Sequence, residues 1–228
     1  MNLHIHDHNA TMLTERDVAL LQWITRHGVV TAEHVAQRYF AGRSAAYRRL
    51  RKLIGLGLIR RDPTHYRAPF VIRVTSAGAR VAAVGVGPAD LHIAEVPHAL
   101  ALVTLAERLL AAHPGAVLIT EREYRAAQLR ARREGTRPRL GRIPDGVLQL
   151  APEAGATRIA IELDLTDKRR YALSRVINAY SEAFDPRPEA DGFGAVWWFV
   201  NPPAVMRVRA AVEHARAGDF ITVTEWRP

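Results

Sequence analysis

Apolar positions in the first eighty residues recur at helical spacing, in short blocks bounded by cap residues and glycines. Leu20, Leu21 and Ile24 form the first stripe. Thr14 stands before it as N-cap with Asp17 three residues on, close to a capping box, and His27-Gly28 closes it with a left-handed cap. Thr31 caps a second short helix, Ala32 to Phe40, with Val35 and Tyr39 four apart and Gly42 as its break. A third helix is predicted from about Ser44 to Ile54. Ala46, Leu50, Leu53 and Ile54 fall on one face; Ser44, Arg48, Arg51 and Lys52 fall opposite, with Tyr47 and Arg49 at the flanks. Gly55 and Gly57 end it. Leu58-Ile59 begins a strand, Arg60 to Arg67 reads as a polar turn containing Asp62-Pro63, and Phe70 to Val74 is the return strand.

Beyond residue 84 the pattern changes. Gly85, Gly87, Pro88 and Pro97 mark residues 85–97 as a linker. A helix follows from about His98 to Ala112, carrying Leu102, Leu105, Leu109 and Leu110, then a strand at Val117–Thr120. Residues 122–142 hold eight arginines and begin helical before becoming a basic loop. Strands are expected near Gly146–Leu150, Arg158–Asp164, Ala195–Val200 and Phe220–Glu225, and helices near Lys168–Ala183 and Pro203–Ala217. Strands alternating with helices imply an α/β domain with both sheet faces covered. Residues 1–13 lack periodicity and read as a mobile tail; its alternating His4, His6 and His8 are more simply an accident of composition than a metal grip.

Charge sharpens this picture. The 228 residues carry a formal net charge of +9, a balance that favours a polyanionic partner, nucleic acid above all. Residues 1–95 hold 13 basic and 7 acidic side chains, and residues 96–228 hold 19 and 16, so the first part is the expected docking surface. Only Lys52 and Lys168 are lysines. No apolar run is long enough to span a bilayer and no signal peptide is evident, so a cytoplasmic, nucleoid- or plasmid-associated location is expected, with no membrane partner. Cysteine is absent, which removes disulfides and thiolate metal sites.

A recognition helix buries one face and offers the other to the major groove, and the third helix has that division. Arg43, Ser44, Tyr47 and Arg48, near its start, are placed for base edges; Arg51 and Lys52 are placed for phosphates. Arg60, Arg61, Tyr66 and Arg67 would form the wing. The bland alternative is a solvated basic helix face. Helix, helix, helix, strand, basic turn, strand, closed by the "TSAGARVA" of residues 75–82, resembles bacterial winged-helix domains over roughly residues 14–85, which implies binding to double-stranded DNA.

In the second domain, Asp145 follows Pro144 just before a strand, and Glu162 and Asp164 alternate with Ile161 and Leu163 on the next. Glu162 and Asp164 therefore share a sheet face. If the strands are neighbours, Asp145 approaches both, and three carboxylates at one strand end suit a hard cation such as Mg²⁺ or Mn²⁺. The Pro-Asp and following acid-x-residue strand resemble the PD-(D/E)xK nuclease superfamily. That superfamily places lysine two residues after the acid; here the position holds Asp164, and Lys168 lies six residues after Glu162, at the start of the next helix. The competing readings are an inactive relative, and strand-end acids paired with Arg158, Arg169 or Arg175.

Taken together, the winged helix and "PDG…IELDLT" resemble the plasmid replication-relaxation family, on His98-Ala99-Leu100, Arg122-Glu123, Pro144-Asp145, Glu162-x-Asp164-x-Thr166 and the helix ending near Tyr180. The expected fold class is α+β: a winged helix-turn-helix over residues 14–84, then an α/β restriction-endonuclease-like domain over residues 98–228. The resemblance implies a DNA-binding protein of a plasmid or mobile element, acting in replication, mobilisation or transcriptional control, with an inactive nuclease-like domain and a possible homodimer. One alternative is a metal-dependent endonuclease in which Asp145, Glu162 and Asp164 hold Mg²⁺ or Mn²⁺ and Lys168 stabilises phosphate charge. Another is an antitoxin-like autorepressor. No Gly-x-Ser-x-Gly, phosphate-binding Gly-Lys-Ser/Thr loop or His-Glu-x-x-His is present. Trp197-Trp198-Phe199 reads as core packing in an interior strand.

Overall fold

The computed structural model describes residues 13–64, 69–135, 142–150, 158–166, 170–185 and 192–228. The fold class is α+β, with eight α-helices, a two-stranded sheet and a five-stranded sheet among the described residues. The chain divides into two compact units, Met1–Leu91 and His92–Pro228.

The first unit opens with α1 (Glu15–His27). Its entry is a full capping box: Thr14 Oγ1 accepts from the Asp17 amide, and the Asp17 carboxylate accepts from the Thr14 amide. Gly28 ends it at φ 83°, a conformation that favours glycine. A second capping box, Thr31 with His34, starts α2 (Ala32–Tyr39). Helix α3 (Arg43–Gly55) buries Ala46, Leu50 and Leu53. These close on Leu20, Leu21, Ile24 and Val35, all fully buried, to give a core made by the stripes already visible in the sequence.

The hairpin differs from expectation. Arg60 to Asp62 do not form a turn but belong to strand β1 (Ile59–Asp62), which pairs antiparallel with β2 (Val71–Val74). The ladder continues because Arg60 and Arg61 alternate across it opposite Arg73 and Ile72, a pairing no local pattern reveals. All four residues of β2 are buried, Arg73 included. Val30, between α1 and α2, adds a bridge to Ile72, with N–H···O bonds of 2.8 and 3.1 Å. Thr75 then caps α4 (Ser76–Ala82). Gly78 is required there: a Cβ would lie 2.0 Å from the Leu58 carbonyl oxygen.

The second unit starts earlier than the linker reading allowed. Ile93–Glu95 form a 3-10 turn and α5 (Val96–Ala112) begins two residues before His98. Pro97 fits its first turn, where no amide hydrogen is needed, so the proline read as linker opens a helix. Strand β3 (Val117–Thr120) leads through a third capping box, Thr120 with Glu123, into α6 (Glu121–Arg133). Then come β4 (Gly146–Gln149), β5 (Arg158–Asp164), α7 (Arg170–Ala183), β6 (Ala195–Val200), α8 (Val205–His214) and β7 (Ile221–Glu225). Pro203 falls in a 3-10 turn just before α8.

The sheet order is β3-β4-β5-β6-β7; the first two pairings are antiparallel and the last two parallel. One face carries a core of Ala160, Val196 and Trp198 with Tyr124 of α6, Leu173, Ile177 and Tyr180 of α7 and Val205, Val208 and Val212 of α8. The other carries Leu148, Ile159, Ile161 and Leu163 beneath Leu105, Ala106 and Leu109 of α5. Both faces are covered, and Trp198, wholly buried, is core.

Candidate functional site

Two groups of residues carry the chemistry, one in each unit. In the first, α3 presents Ser44, Tyr47, Arg48, Arg51 and Lys52 to solvent, opposite its buried stripe. None of Arg48, Arg51 and Lys52 is ion-paired among the described residues. The other two arginines of this helix are committed. Arg43 Nε lies 2.7 Å from Glu33 of α2, an exposed pair. Arg49 forks onto both carboxylate oxygens of Asp17, itself buried. Burial would raise the Asp17 pKa, but hydrogen bonds from Arg49 and Thr14 outweigh it and hold the carboxyl below its ordinary value. One side chain thus caps α1 and ties it to α3, and Arg49 is a positioning residue.

On the hairpin, Arg61 lies over the Phe70 ring, 3.6 Å from its centroid. Arg60 pairs with Asp62 at 3.2 Å, and the buried Arg73 donates to the same carboxylate at 2.9 Å and to the Ala89 carbonyl at 2.5 Å. Sequence reasoning missed Arg73: a lone arginine in an apolar strand signals a buried ion pair, and Asp62 was its available partner. Tyr66 and Arg67 lie outside the described residues.

In the second unit the sheet gathers the acids as their alternation required. Glu162 and Asp164 share the α7 face of β5, with Ala160 and against Tyr180 and Trp198. The register that sets Gly146 opposite Ile161 brings Asp145 to the level of Glu162. Each acid, however, has its own partner. Glu162 is fully buried and receives Arg142 in a fork, Nε to Oε1 at 2.9 Å and Nη2 to Oε2 at 2.5 Å, while the Tyr180 hydroxyl also donates to Oε1. Asp164 accepts from the Trp198 indole at 3.0 Å.

Asp145 accepts from the Leu163 amide at 2.8 Å, and His98 Nε2 lies 3.0 Å from the Leu163 carbonyl oxygen and 3.5 Å from Asp145. Strand β4 starts at Gly146, so β5 has no ladder partner on that side at Leu163. Asp145 and His98 satisfy both backbone groups there instead. His98 connects to an imidazole role that its place in the helix did not reveal.

Burial pushes the Glu162 carboxyl above the ordinary range, with Arg142 pulling against it. Burial also opposes the charge on Arg142, but the carboxylate beside it holds the guanidinium firmly protonated. Tyr180 is pushed up by burial and by Glu162, so its hydroxyl remains a donor. The Asp145 hydrogen bond raises His98 to about 8 against the cost of burial.

A divalent cation does not fit this arrangement as folded. Both Glu162 oxygens are engaged by a guanidinium, and among the described residues no group of three His, Cys, Asp or Glu side chains could hold a metal ion. Lys168 lies outside the described residues. Among the described residues the ion-pair partner of Glu162 is Arg142, which the sequence placed in a basic loop, and not Arg158 or Arg175; Arg169 lies outside the described residues.

A model of the replication-relaxation family matches residues 21–195, and the chain belongs to that family. No curated protein and no solved structure matches it. No described helix is long and apolar enough to cross a membrane.

Proposed function

We propose that this chain is a double-stranded-DNA-binding protein of a bacterial plasmid or other mobile element, acting in its replication, mobilisation or transcriptional control in the cytoplasm. Residues 14–84 are read as a winged helix-turn-helix with α3 as its recognition helix. The observation that carries the reading is the division of α3 between a buried Ala46, Leu50 and Leu53 stripe and an exposed Ser44, Tyr47, Arg48, Arg51 and Lys52 face. The α1-α2-α3-β1-β2 order and the Val30 bridge to β2 support it. Arg48, Ser44 and Tyr47 would face base edges, with Arg51 and Lys52 on phosphates; Arg43, held by Glu33, must exchange that partner to join them.

The second unit is read as a nuclease-like core without catalysis. Its support is the order α5-β3-α6-β4-β5-α7-β6, with two antiparallel pairings followed by a parallel one, and Asp145 just before β4 with Glu162 on β5. The Arg142 fork on Glu162 argues against a working metal site.

Gel shifts and cleavage assays on one set of samples, with EDTA or Mn²⁺, test both parts. Salt-sensitive duplex binding without cutting is expected. Mn²⁺-dependent cutting abolished by Glu162→Ala would make the second unit an enzyme, and absence of duplex binding at low salt would remove the first part.

A further inference from the structure

The end of β5 concentrates negative charge where solvent does not reach. Glu162 is fully buried, Asp164 nearly so, and Asp145 stands at the start of the neighbouring strand. A buried carboxylate requires a proton or a cation beside it. In this fold the cation is covalent: the Arg142 guanidinium grips both Glu162 oxygens, and Tyr180 completes the set from α7. An ion placed at metal–oxygen distance from Glu162 would need space that the guanidinium now fills. Arginine cannot vacate that space by losing its proton at any physiological pH.

We infer that Arg142 is the resident counter-ion of this acidic strand end and stands in for a divalent cation. The folded chain takes no Mg²⁺ or Mn²⁺ at Glu162, and shortening Arg142 opens a divalent-cation site built on Glu162 and Asp145. The loss of the guanidinium leaves Glu162 without its cation and frees Oε2, while Oε1 keeps only the Tyr180 hydroxyl. The register that pairs Gly146 with Ile161 sets Asp145 level with Glu162 on the neighbouring strand, which offers a second carboxylate to the same ion. The inference goes beyond DNA binding and does not depend on it.

The test is Mn²⁺ titration of the full chain, followed by electron paramagnetic resonance of free Mn²⁺ and by the Mn²⁺-induced shift in Tm. Wild type, Arg142→Ala and the double variant Arg142→Ala/Glu162→Gln are compared. The wild type should show no saturable site. Arg142→Ala should gain one saturable Mn²⁺ site, with a Mn²⁺-induced rise in Tm that the wild type lacks, and the double variant should lose both. If Arg142→Ala folds only when Mn²⁺ is added, that also supports the inference. Arg142→Gln, which keeps the stem and some hydrogen bonding, repeats the measurement in a less disruptive form. A saturable wild-type site lost in Glu162→Gln would overturn the inference, as would absence of Mn²⁺ uptake by both Arg142 variants. Duplex binding read on the same samples reports separately on the first unit.

Discussion

Removing Arg142 strands a buried carboxylate, while replacing Arg142, Glu162 and the Tyr180 hydroxyl together strands nothing. Arg142→Ala should therefore cost about 3–5 kcal/mol of unfolding free energy, the usual cost of breaking a buried pair from one side. Arg142→Met combined with Glu162→Leu and Tyr180→Phe should recover most of that loss, because an apolar set needs no compensation. Urea unfolding followed by tryptophan fluorescence checks both; equal destabilisation in the single and triple variants would mean that packing, not charge, dominates there. The histidines give opposite pH signatures. His98 is raised from 6.5 to about 8, so its contribution is full below about pH 6.5 and is lost as pH rises through 8. His27 is half-buried, and desolvation lowers it to about 3, so its neutral form favours folding above pH 6.5 and this contribution falls as pH drops toward 3. His98→Gln should flatten the alkaline loss of stability between pH 6.5 and 8, and His27→Gln should flatten the acid loss. Tm against pH for each variant reads this directly; an unchanged alkaline slope in His98→Gln would remove the role given to Asp145.

At the level of elements, helices were legible in the sequence because their signals are local. Thr14 and Thr31 sit at the caps read for them, and the stripes of α1 and α3 lie where their spacing placed them; Thr120, read only as a strand end, also caps α6. Strand β5 was read to the residue, and its alternation put Glu162 and Asp164 on one face. What was not legible depends on partners far along the chain. Arg60–Asp62 became strand because β2 pairs with it, and Arg142 became a core cation because Glu162, twenty residues on, lies beside it. Pro97 misled because a linker proline and an N-terminal helix proline look alike until α5 has something to pack on. Three substitutions test the account of how α3 is held. Arg49→Ala breaks the buried tie to Asp17 and should cost about 3 kcal/mol, whereas Arg48→Ala and Arg51→Ala should change stability by less than about 0.5 kcal/mol. Gly78→Ala should destabilise by about 2 kcal/mol or more, since the new methyl meets the Leu58 carbonyl.

Across the whole molecule, charge and satisfaction are arranged differently in the two units. In the first, Arg48, Arg51 and Lys52 stand exposed on α3, while Arg49 and Arg73 are drawn inside against Asp17 and Asp62. In the second, the acids of the strand end are matched internally, by Arg142, Trp198, His98 and the backbone of Leu163. In the function proposed above, the exposed positive charge of α3 meets a polyanion, while the acidic strand end of the second unit is closed by internal partners. Membership of the replication-relaxation family fits a DNA partner for the first unit.

The most direct test is fluorescence anisotropy of a labelled duplex with wild type and Arg48→Ala/Arg51→Ala, each titrated between about 50 and 200 mM salt. The wild type should bind with a steep loss of affinity as salt rises. The variant, equally stable by thermal unfolding, should bind at least tenfold more weakly, with a log–log salt slope shallower by about 1 for each phosphate contact removed. Equal affinity and equal slope in the two proteins would contradict the assignment of α3 as the DNA-facing helix.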